Sequence, residues 1–363
     1  MHIIMAGGGT GGHLFPGLAL ARQLTAMRTD LRISFIGTAQ GLDLEIVPRA
    51  GYPIDIIAAG RGSPLNWRHP NYLPRFAVAI WQSIHLLRQY RPAALVALGG
   101  FAAAAPGIAA QLCGVPLVIL EQNTVPGRVN RLLSRWAERV YLQFRDARER
   151  FPKVAAKFYD FGTPLREKIY TLSQKQPCKG DSLLIVGGSQ GAAKLNEIVS
   201  QAVPAIIEKL HCPVIHVTGS AEEARIREYY NAQGATVEVI GFCGQMEQVL
   251  RRARLVISRA GAGGIADITA AGLPSILVPL PTAAANHQFF NAQWLADQGG
   301  ACLLNQLELT PGKLTEEVIA IWQDEKRREE MAARARRTSR PEAAQEIAND
   351  ILEIVRGREQ NAG

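Results

Sequence analysis

The chain has 363 residues, room for two or three domains with full hydrophobic cores, which excludes a disulfide-stapled miniprotein. Apolar residues make up 47% and charged residues 20%, while Gly 34 and Pro 20 together supply about 15%, so this is a glycine-rich globular sequence and not a disordered one. Lys and Arg (40) exceed Asp and Glu (32) to leave +8, an excess that suits anionic ligands or an anionic lipid surface better than a nucleic acid, with ordinary solubility charge as the plain alternative.

Five cysteines, Cys113, Cys178, Cys212, Cys243 and Cys302, are odd in number and widely spaced, with no C-x-x-C pair. They suggest neither a disulfide framework nor a zinc site, and a reducing compartment. The N-terminus lacks the basic and long apolar regions of a signal peptide, so the chain is expected to begin as a strand in the cytoplasm.

In chain order, Ile3 to Ala6 reads as a buried strand running into Gly7-Gly8-Gly9-Thr10-Gly11-Gly12, and Leu18 to Met27 as the helix after it. A strand at Ile33 to Ile36 follows. Leu73, Phe76, Ile80, Ile84 and Leu87 take helical spacing beside Trp81, with Arg75, Arg88 and Arg91 flanking; this is either an ordinary amphipathic helix over the core or an interfacial patch. Pro92 to Leu120 carries no charge and could span a bilayer on length alone. Gly99, Gly100, Gly107, Gly114, Pro106 and Pro116 cut it instead into short buried strands, Leu95 to Leu98 and Leu117 to Leu120, around a small-residue helix. A domain boundary is expected near Gly162-Thr163-Pro164 or in the polar stretch Ser173 to Asp181.

The second half echoes the first. Leu183 to Val186 runs into Gly187-Gly188-Ser189-Gln190-Gly191, offset by 179 residues from Gly8-Gly9-Thr10-Gly11-Gly12 along lines of G-G-[ST]-x-G, and helix-like sequence follows at Ala192 to Leu210. Two similar α/β units in tandem are implied. Further strands fit Val214 to Val217, Val237 to Ile240, Leu255 to Ile257 and Ser275 to Val278. Glu316 to Arg340 reads as one charged helix, Pro341 interrupts it, and Ile347, Ile351 and Val355 form a stripe fit to pack back on the first half.

A glycine turn between strand and helix lets backbone N–H groups approach a phosphate beside a positive helix end. Neither copy is the P-loop G-x-x-x-x-G-K-[ST], for no Lys follows the glycines at that place, and the first crowds too many glycines for a dinucleotide fingerprint. His13 directly after the first loop is a candidate general base, held neutral by the helix end, or else a capping residue. Glu121-Gln122-Asn123 ends a parallel strand, where open sheets put ligand contacts; Arg166 could reach a pyrophosphate. Ser258 to Gly264 is a third glycine loop, with Asp267 placed either to accept two ribose hydroxyls or to favour the helix dipole. Asn286-His287-Gln288 and Asn291 suit sugar hydroxyls or a helix start.

Taken in order, Gly8-Gly9-Thr10-Gly11-Gly12-His13, Gly99-Gly100-Phe101, Glu121-Gln122-Asn123, Gly162-Thr163-Pro164-Leu165-Arg166, Gly187-Gly188-Ser189-Gln190-Gly191, Arg259 to Asp267 with Ala270-Ala271-Gly272-Leu273-Pro274, and Asn286-His287-Gln288 resemble the MurG family over nearly the whole chain. Members of that family transfer N-acetylglucosamine (GlcNAc) from UDP-GlcNAc to undecaprenyl-pyrophosphoryl-MurNAc-pentapeptide (lipid I) in peptidoglycan synthesis. The resemblance implies an α/β GT-B fold, two Rossmann-like domains facing across a cleft: 1–163 on the acceptor and membrane side, 164–340 for UDP-GlcNAc, and helix 342–357 returning to the first. It places Thr10, Gly11, Gly12 and Asn123 near donor sugar and acceptor, Arg166 and Ser189 on the nucleotide and pyrophosphate, Cys243 at uracil through backbone groups, Asp267 at the ribose diol and Gln288 on GlcNAc hydroxyls. Asp267 stands where relatives can carry Glu and Phe101 where Tyr can occur.

The implied reaction is a single in-line displacement with inversion, with His13 and then Glu121 as candidate bases and Arg166 meeting charge on UDP. That implied mechanism requires no metal or other cofactor, and consistently the glycine loops hold no carboxylate cluster or D-x-D element. The implied partners are UDP-GlcNAc, lipid I, an anionic membrane surface touched by Phe76, Trp81, Arg75 and Arg88, and other cell-wall synthesis proteins, with no nucleic acid; the implied location is peripheral, on the cytoplasmic membrane face. The competing classes are a GT-B-like UDP-GlcNAc epimerase, a Rossmann oxidoreductase requiring NAD(P), and a non-catalytic nucleotide-sugar binding protein.

Overall fold

A computed structural model describes residues 1–39, 43–58, 72–187 and 193–362, in two units: Met1–Arg166 with Arg340–Gly363, and Glu167–Ser339. The first unit runs β1 (His2–Gly7), α1 (Gly11–Met27), β2 (Arg32–Thr38), α2 (Asp43–Arg49), β3 (Ile54–Ile57), α3 (Tyr72–Tyr90), β4 (Ala94–Gly99), α4 (Ala104–Cys113), β5 (Leu117–Glu121), α5 (Arg128–Leu133), β6 (Arg139–Leu142) and β7 (Lys157–Tyr159). Its strands lie in the order β3-β2-β1-β4-β5-β6-β7, every neighbouring pair parallel. Parallel strands are covered on both faces, which is why β1 and β4 read as unbroken apolar runs. Alternation then sorts their side chains: Ile3, Met5, Val96 and Leu98 join the core under α1, and Ile4, Ala6, Leu95 and Ala97 the core under α3 and α4.

The second unit contains α6 (Glu167–Ser173), β8 (Ser182–Val186), α7 (Ala193–Leu210), β9 (Val214–Val217), α8 (Glu223–Ala232), β10 (Glu238–Ile240), α9 (Met246–Arg252), β11 (Ala253–Ser258), α10 (Ala262–Ala271), β12 (Ser275–Leu277), α11 (His287–Asp297), β13 (Ala301–Leu303), α12 (Pro311–Gln323) and α13 (Glu325–Thr338). Its parallel sheet has the order β10-β9-β8-β11-β12-β13. In both sheets the chain reverses direction of growth beside the first strand, between β1 and β4 and between β8 and β11. The crevice outside the strand carboxyl ends at such a point is where doubly wound sheets bind ligands.

The last helix, α14 (Ala343–Ala362), packs on α1 in the first unit through buried Ala343, Ile347, Ala348, Ile351, Leu352 and Val355. Tyr141 donates to Asp350 (2.6 Å) and Arg139 pairs with the same carboxylate (3.1 Å), so a polar clamp on β6 fixes the helix register.

Several elements differ from the sequence reading. Helix α1 starts at Gly11 and not near Leu18, because glycines and Pro16 that weaken helix propensity are tolerated where the chain packs tightly: a Cβ on Gly17 would overlap Leu98. The charged stretch 316–340 is two helices, broken where the Asp324 side chain accepts the Arg327 N–H (2.9 Å) and caps α13. Residues 163–166 stay with the first unit, and Ser173 to Asp181 belongs to the second, held by Arg336 on the Ser173 and Lys175 carbonyls. Among the described residues no helix is long and apolar enough to cross a membrane.

Candidate active site

In the first unit β1 gives way to Gly7, Gly8 and Gly9, with φ of +122°, +140° and +82°, conformations open to glycine and strained for other residues. Thr10 then caps α1 in an extended conformation, and its carbonyl accepts from the His13 and Leu14 N–H groups (3.2 and 3.1 Å). Gly11, Gly12 and His13 thus form the first turn of α1, whose N–H groups face the loop. His13 is half-buried, its Nδ1 is 3.1 Å from Thr10 Oγ1, and its ring rests against Gly99 and Gly100: a Cβ on Gly99 would lie 2.9 Å from His13 Cδ2. The pair of glycines ending β4, both at positive φ, is therefore the seat of the imidazole.

Glu121, at the end of β5, is fully buried, and its carboxylate accepts the Asn123 N–H (2.9 Å), the Gly127 N–H (3.0 Å) and the Asn130 amide (2.9 Å). Burial pushes its carboxyl up, and those three donors pull it back. Both oxygens are committed to shaping the 121–127 turn, which places Glu121 as the support of half-buried Asn123 and not at the surface of the site. Gln122 turns inward and donates to the Leu98 carbonyl (3.1 Å), tying β5 to β4. Arg166 lies over the Phe15 ring of α1 (5.6 Å), so it belongs to the first unit, in contrast to the expected domain 164–340.

In the second unit Arg259 stands at the end of β11, Asp267 within α10 and Gln288 in the first turn of α11. Arg259 follows β11, is buried, and donates to the Val278 and Pro279 carbonyls (3.1 and 3.3 Å); burial lowers it to about 10, so it stays charged at neutral pH. That tether fixes the segment after β12, where the Leu280 N–H donates to Gln288 Oε1 (3.0 Å) and orients the Gln288 amide. Asn291, with no exposure, donates to the Ala260 carbonyl (3.2 Å) and so pins the third glycine loop rather than meeting a sugar; Asn286 caps α11 in the left-handed region. Asp267 sits in the second turn of α10, beyond the first turn where a helix dipole rewards an acid, so the dipole account does not apply to it. Cys243 is half-buried next to Phe242, an aromatic 70% exposed. Ser189 and its loop lie outside the described residues.

The amphipathic segment is helix α3, and its stripe divides. Phe76 packs on Phe101 (6.0 Å between rings) beside Ile80, Ile84 and Leu87 and is partly buried against the core, whereas Trp81 is 66% exposed and stacks on His85. Arg75 and Arg88 are exposed with Leu73 and Val78. On this side of the sheet α3, α4 and α5 contain no Asp or Glu, while the 3-10 turn 145–150 packed on the same core exposes Asp146 and Glu149; α4 and the turn after α5 add exposed Leu112 and Trp136, which periodicity within single elements did not single out.

Residues 3–142 match the glycosyltransferase family 28 N-terminal domain and residues 182–347 the glycosyltransferase family 28 C-terminal domain. The chain is 37% identical, over 99% of its length and 94% of the relative, to UDP-N-acetylglucosamine–N-acetylmuramyl-(pentapeptide) pyrophosphoryl-undecaprenol N-acetylglucosamine transferase of Anaeromyxobacter dehalogenans. The protein of that name from Methylococcus capsulatus is 38% identical over 97% of this chain and 98% of its own. A crystal structure of Acinetobacter baumannii MurG superposes with a TM-score of 0.76 at 30% identity, covering 97% of this chain and 99% of that one. With two parallel-sheet units of GT-B type and this end-to-end likeness, the chain belongs to the MurG family of N-acetylglucosamine transferases.

Proposed function

We propose that the protein transfers GlcNAc from UDP-GlcNAc to the C4 hydroxyl of MurNAc in lipid I, giving lipid II by an inverting displacement. The observation that carries this reading is the end-to-end match, at 36 to 38% identity, with relatives named for this transfer. In the reaction the acceptor oxygen attacks C1 of α-linked GlcNAc, the bond to UDP breaks, and the acceptor proton leaves to a base. His13 is that base: with the proton on Nδ1 donated to Thr10 Oγ1, the lone pair lies on Nε2. Thr10, Gly11, Gly12 and Asn123 contribute N–H and polar groups beside the reacting sugars, with Glu121 shaping the turn that carries Asn123. Arg166 and Ser189 meet the charge that develops on UDP. Backbone groups of Cys243 take uracil, Asp267 takes the ribose diol, and the Gln288 amide, aimed by Leu280, takes GlcNAc hydroxyls. On this reading the first unit serves the acceptor and the second the donor nucleotide.

The face made by α3, α4 and α5 lies on the lipid surface, with Trp81, Leu73 and Leu112 entering the headgroup boundary and Arg75, Arg88, Arg131 and Arg135 adding about 1 kcal/mol each against anionic lipid. Such contact is reversible, and on this reading it is made with the cytoplasmic face, where other cell-wall synthesis proteins can meet it.

The test is transfer of labelled GlcNAc from UDP-GlcNAc to a short-chain lipid I analogue. A β-1,4-linked product with one UDP per transfer supports the proposal, and His13→Ala should lower kcat by about 10² or more while UDP affinity is kept. Release of an epimerised nucleotide sugar, or binding without turnover, would refute it.

A further inference from the structure

Asp43, the first residue of α2, has no expected role, yet it lies against the first glycine loop. It is 1% exposed, and its Oδ1 accepts the Gly9 N–H at 2.8 Å. A Cβ on Gly8 would fall 2.5 to 2.7 Å from the Asp43 carboxylate atoms, so the carboxylate touches the Gly8 backbone directly. On the far side of the same peptide, the Gly8 carbonyl oxygen lies 2.9 Å from where a Cβ of Gly100 would stand. Gly8 is thus held between a buried acid and the glycine that seats His13. The other oxygen, Oδ2, is buried with no hydrogen-bond partner among the described residues, and burial pushes the carboxyl above the usual carboxylate range.

We propose that Asp43 is a positioning residue for the transfer reaction: by holding the Gly9 N–H it fixes which way the Gly8–Gly9 peptide faces, and through Thr10 it sets the His13 ring. The inference rests on the reading of His13 as the base. In a trans peptide the C=O and N–H groups point in opposite directions, so the bond to Asp43 turns the Gly8 oxygen toward Gly100. Flipping the peptide would aim that oxygen at a carboxylate, two acceptors facing each other away from water. Three successive glycines have no side chain of their own to choose between these states. Asp43 makes the choice, and Thr10 passes it on: its extended backbone places its carbonyl over the His13 and Leu14 N–H groups and its hydroxyl 3.1 Å from His13 Nδ1.

A double-mutant cycle on the full chain tests this, with UDP titration and melting temperature as checks on folding. Asp43→Ala should lower kcat at least tenfold with UDP affinity within twofold. Asp43→Asn, whose amide oxygen can accept the same N–H, should recover kcat to within about threefold of wild type. If Asp43 acts through His13, Asp43→Ala should cost less than about threefold in a His13→Ala background, because coupled residues are not additive. Effects that multiply instead, or an Asn variant as impaired as Ala, would overturn the inference. The ¹⁵N signals of the His13 imidazole supply a readout independent of activity: they should move in Asp43→Ala, and an unmoved ring would overturn the inference. Full kcat in His13→Ala alone would instead remove the base assignment and leave the ring signals to judge Asp43.

Discussion

The buried polar trio under β9 makes the stability of the second unit depend on pH. His216 has no exposure; its Nε2–H donates to Asn196 Oδ1 (3.2 Å), its Nδ1 accepts from the Tyr230 hydroxyl (2.9 Å), and the Asn196 amide donates on to the Thr218 carbonyl (2.9 Å). Every group is satisfied when the imidazole is neutral. Adding a proton puts a second N–H against the Tyr230 hydroxyl and a charge into the core, so burial pushes His216 from 6.5 down to about 3. The folded pKa is depressed, so the stability from the neutral ring is fully present above 6.5 and is lost as pH falls from there toward 3. Each pH unit in that window should cost tenfold in the folding constant of this unit, to at most about 5 kcal/mol in all. Glu121 and Asp43, whose carboxyls are raised, act in the opposite sense, so the slope must be read as a difference from a variant. His216→Gln keeps a donor and an acceptor and does not titrate. Native-state hydrogen exchange of the β8 and β9 amides, corrected for intrinsic rates, should show wild type losing protection between pH 6.5 and 4.5 relative to His216→Gln, by a factor of up to about a hundred. Parallel curves for the two proteins would refute the argument.

Glu121→Gln sets an amide NH₂ against at least one N–H donor of the 121–127 turn and should cost about 1 to 3 kcal/mol in urea unfolding; a variant of full stability whose kcat falls a hundredfold would instead return Glu121 to proton transfer. Trp81→Ala should weaken binding to anionic vesicles and spare the melting temperature, whereas Phe76→Ala, which removes a ring packed on Phe101, should destabilise by about 1 to 3 kcal/mol and leave vesicle binding per folded molecule unchanged. Asp267→Ala should weaken UDP at least tenfold by calorimetry, the worth of a charged hydrogen bond, and Asp267→Glu should keep or tighten it; unchanged affinity in both would remove Asp267 from the ribose.

The parallel strands were legible because burial on two faces leaves runs such as Leu95 to Leu98 with no polar interruption. The outer strands of the first sheet were not: β3 (Ile54–Ile57) carries Asp55, β6 begins with Arg139 and β7 is three residues long, and each is strand only because a neighbour offers its ladder. Helix α1 was read short because its first turns are glycine and proline, chosen for close approach rather than propensity. In the site, the glycine loops and His13 announced themselves by residue type. Asp43 and Asn130 did not, since an acid at the head of a short helix and an amide within another become informative only when folding brings them under Gly9 and against Glu121. Phe76 and Trp81 lie close together in sequence, one on the apolar stripe and one beside it, and the ring of Phe101 against Phe76 shows which of them meets the core.

The return of α14 to the first unit imposes an order on biosynthesis. Residues 1–166 leave the ribosome first, but their core beneath α1 stays open until residues 340–363 emerge, after the 173 residues of the second unit have been made. At 5 to 20 residues per second that interval is roughly 10 to 35 s, during which the face of α1 that packs on α14 has no cover. A nascent chain must therefore be shielded, and a message truncated anywhere in the last helix yields a protein whose second unit is whole and whose first is exposed to proteases. Expression of the first unit alone would need residues 340–363 joined back to residue 166 by a linker.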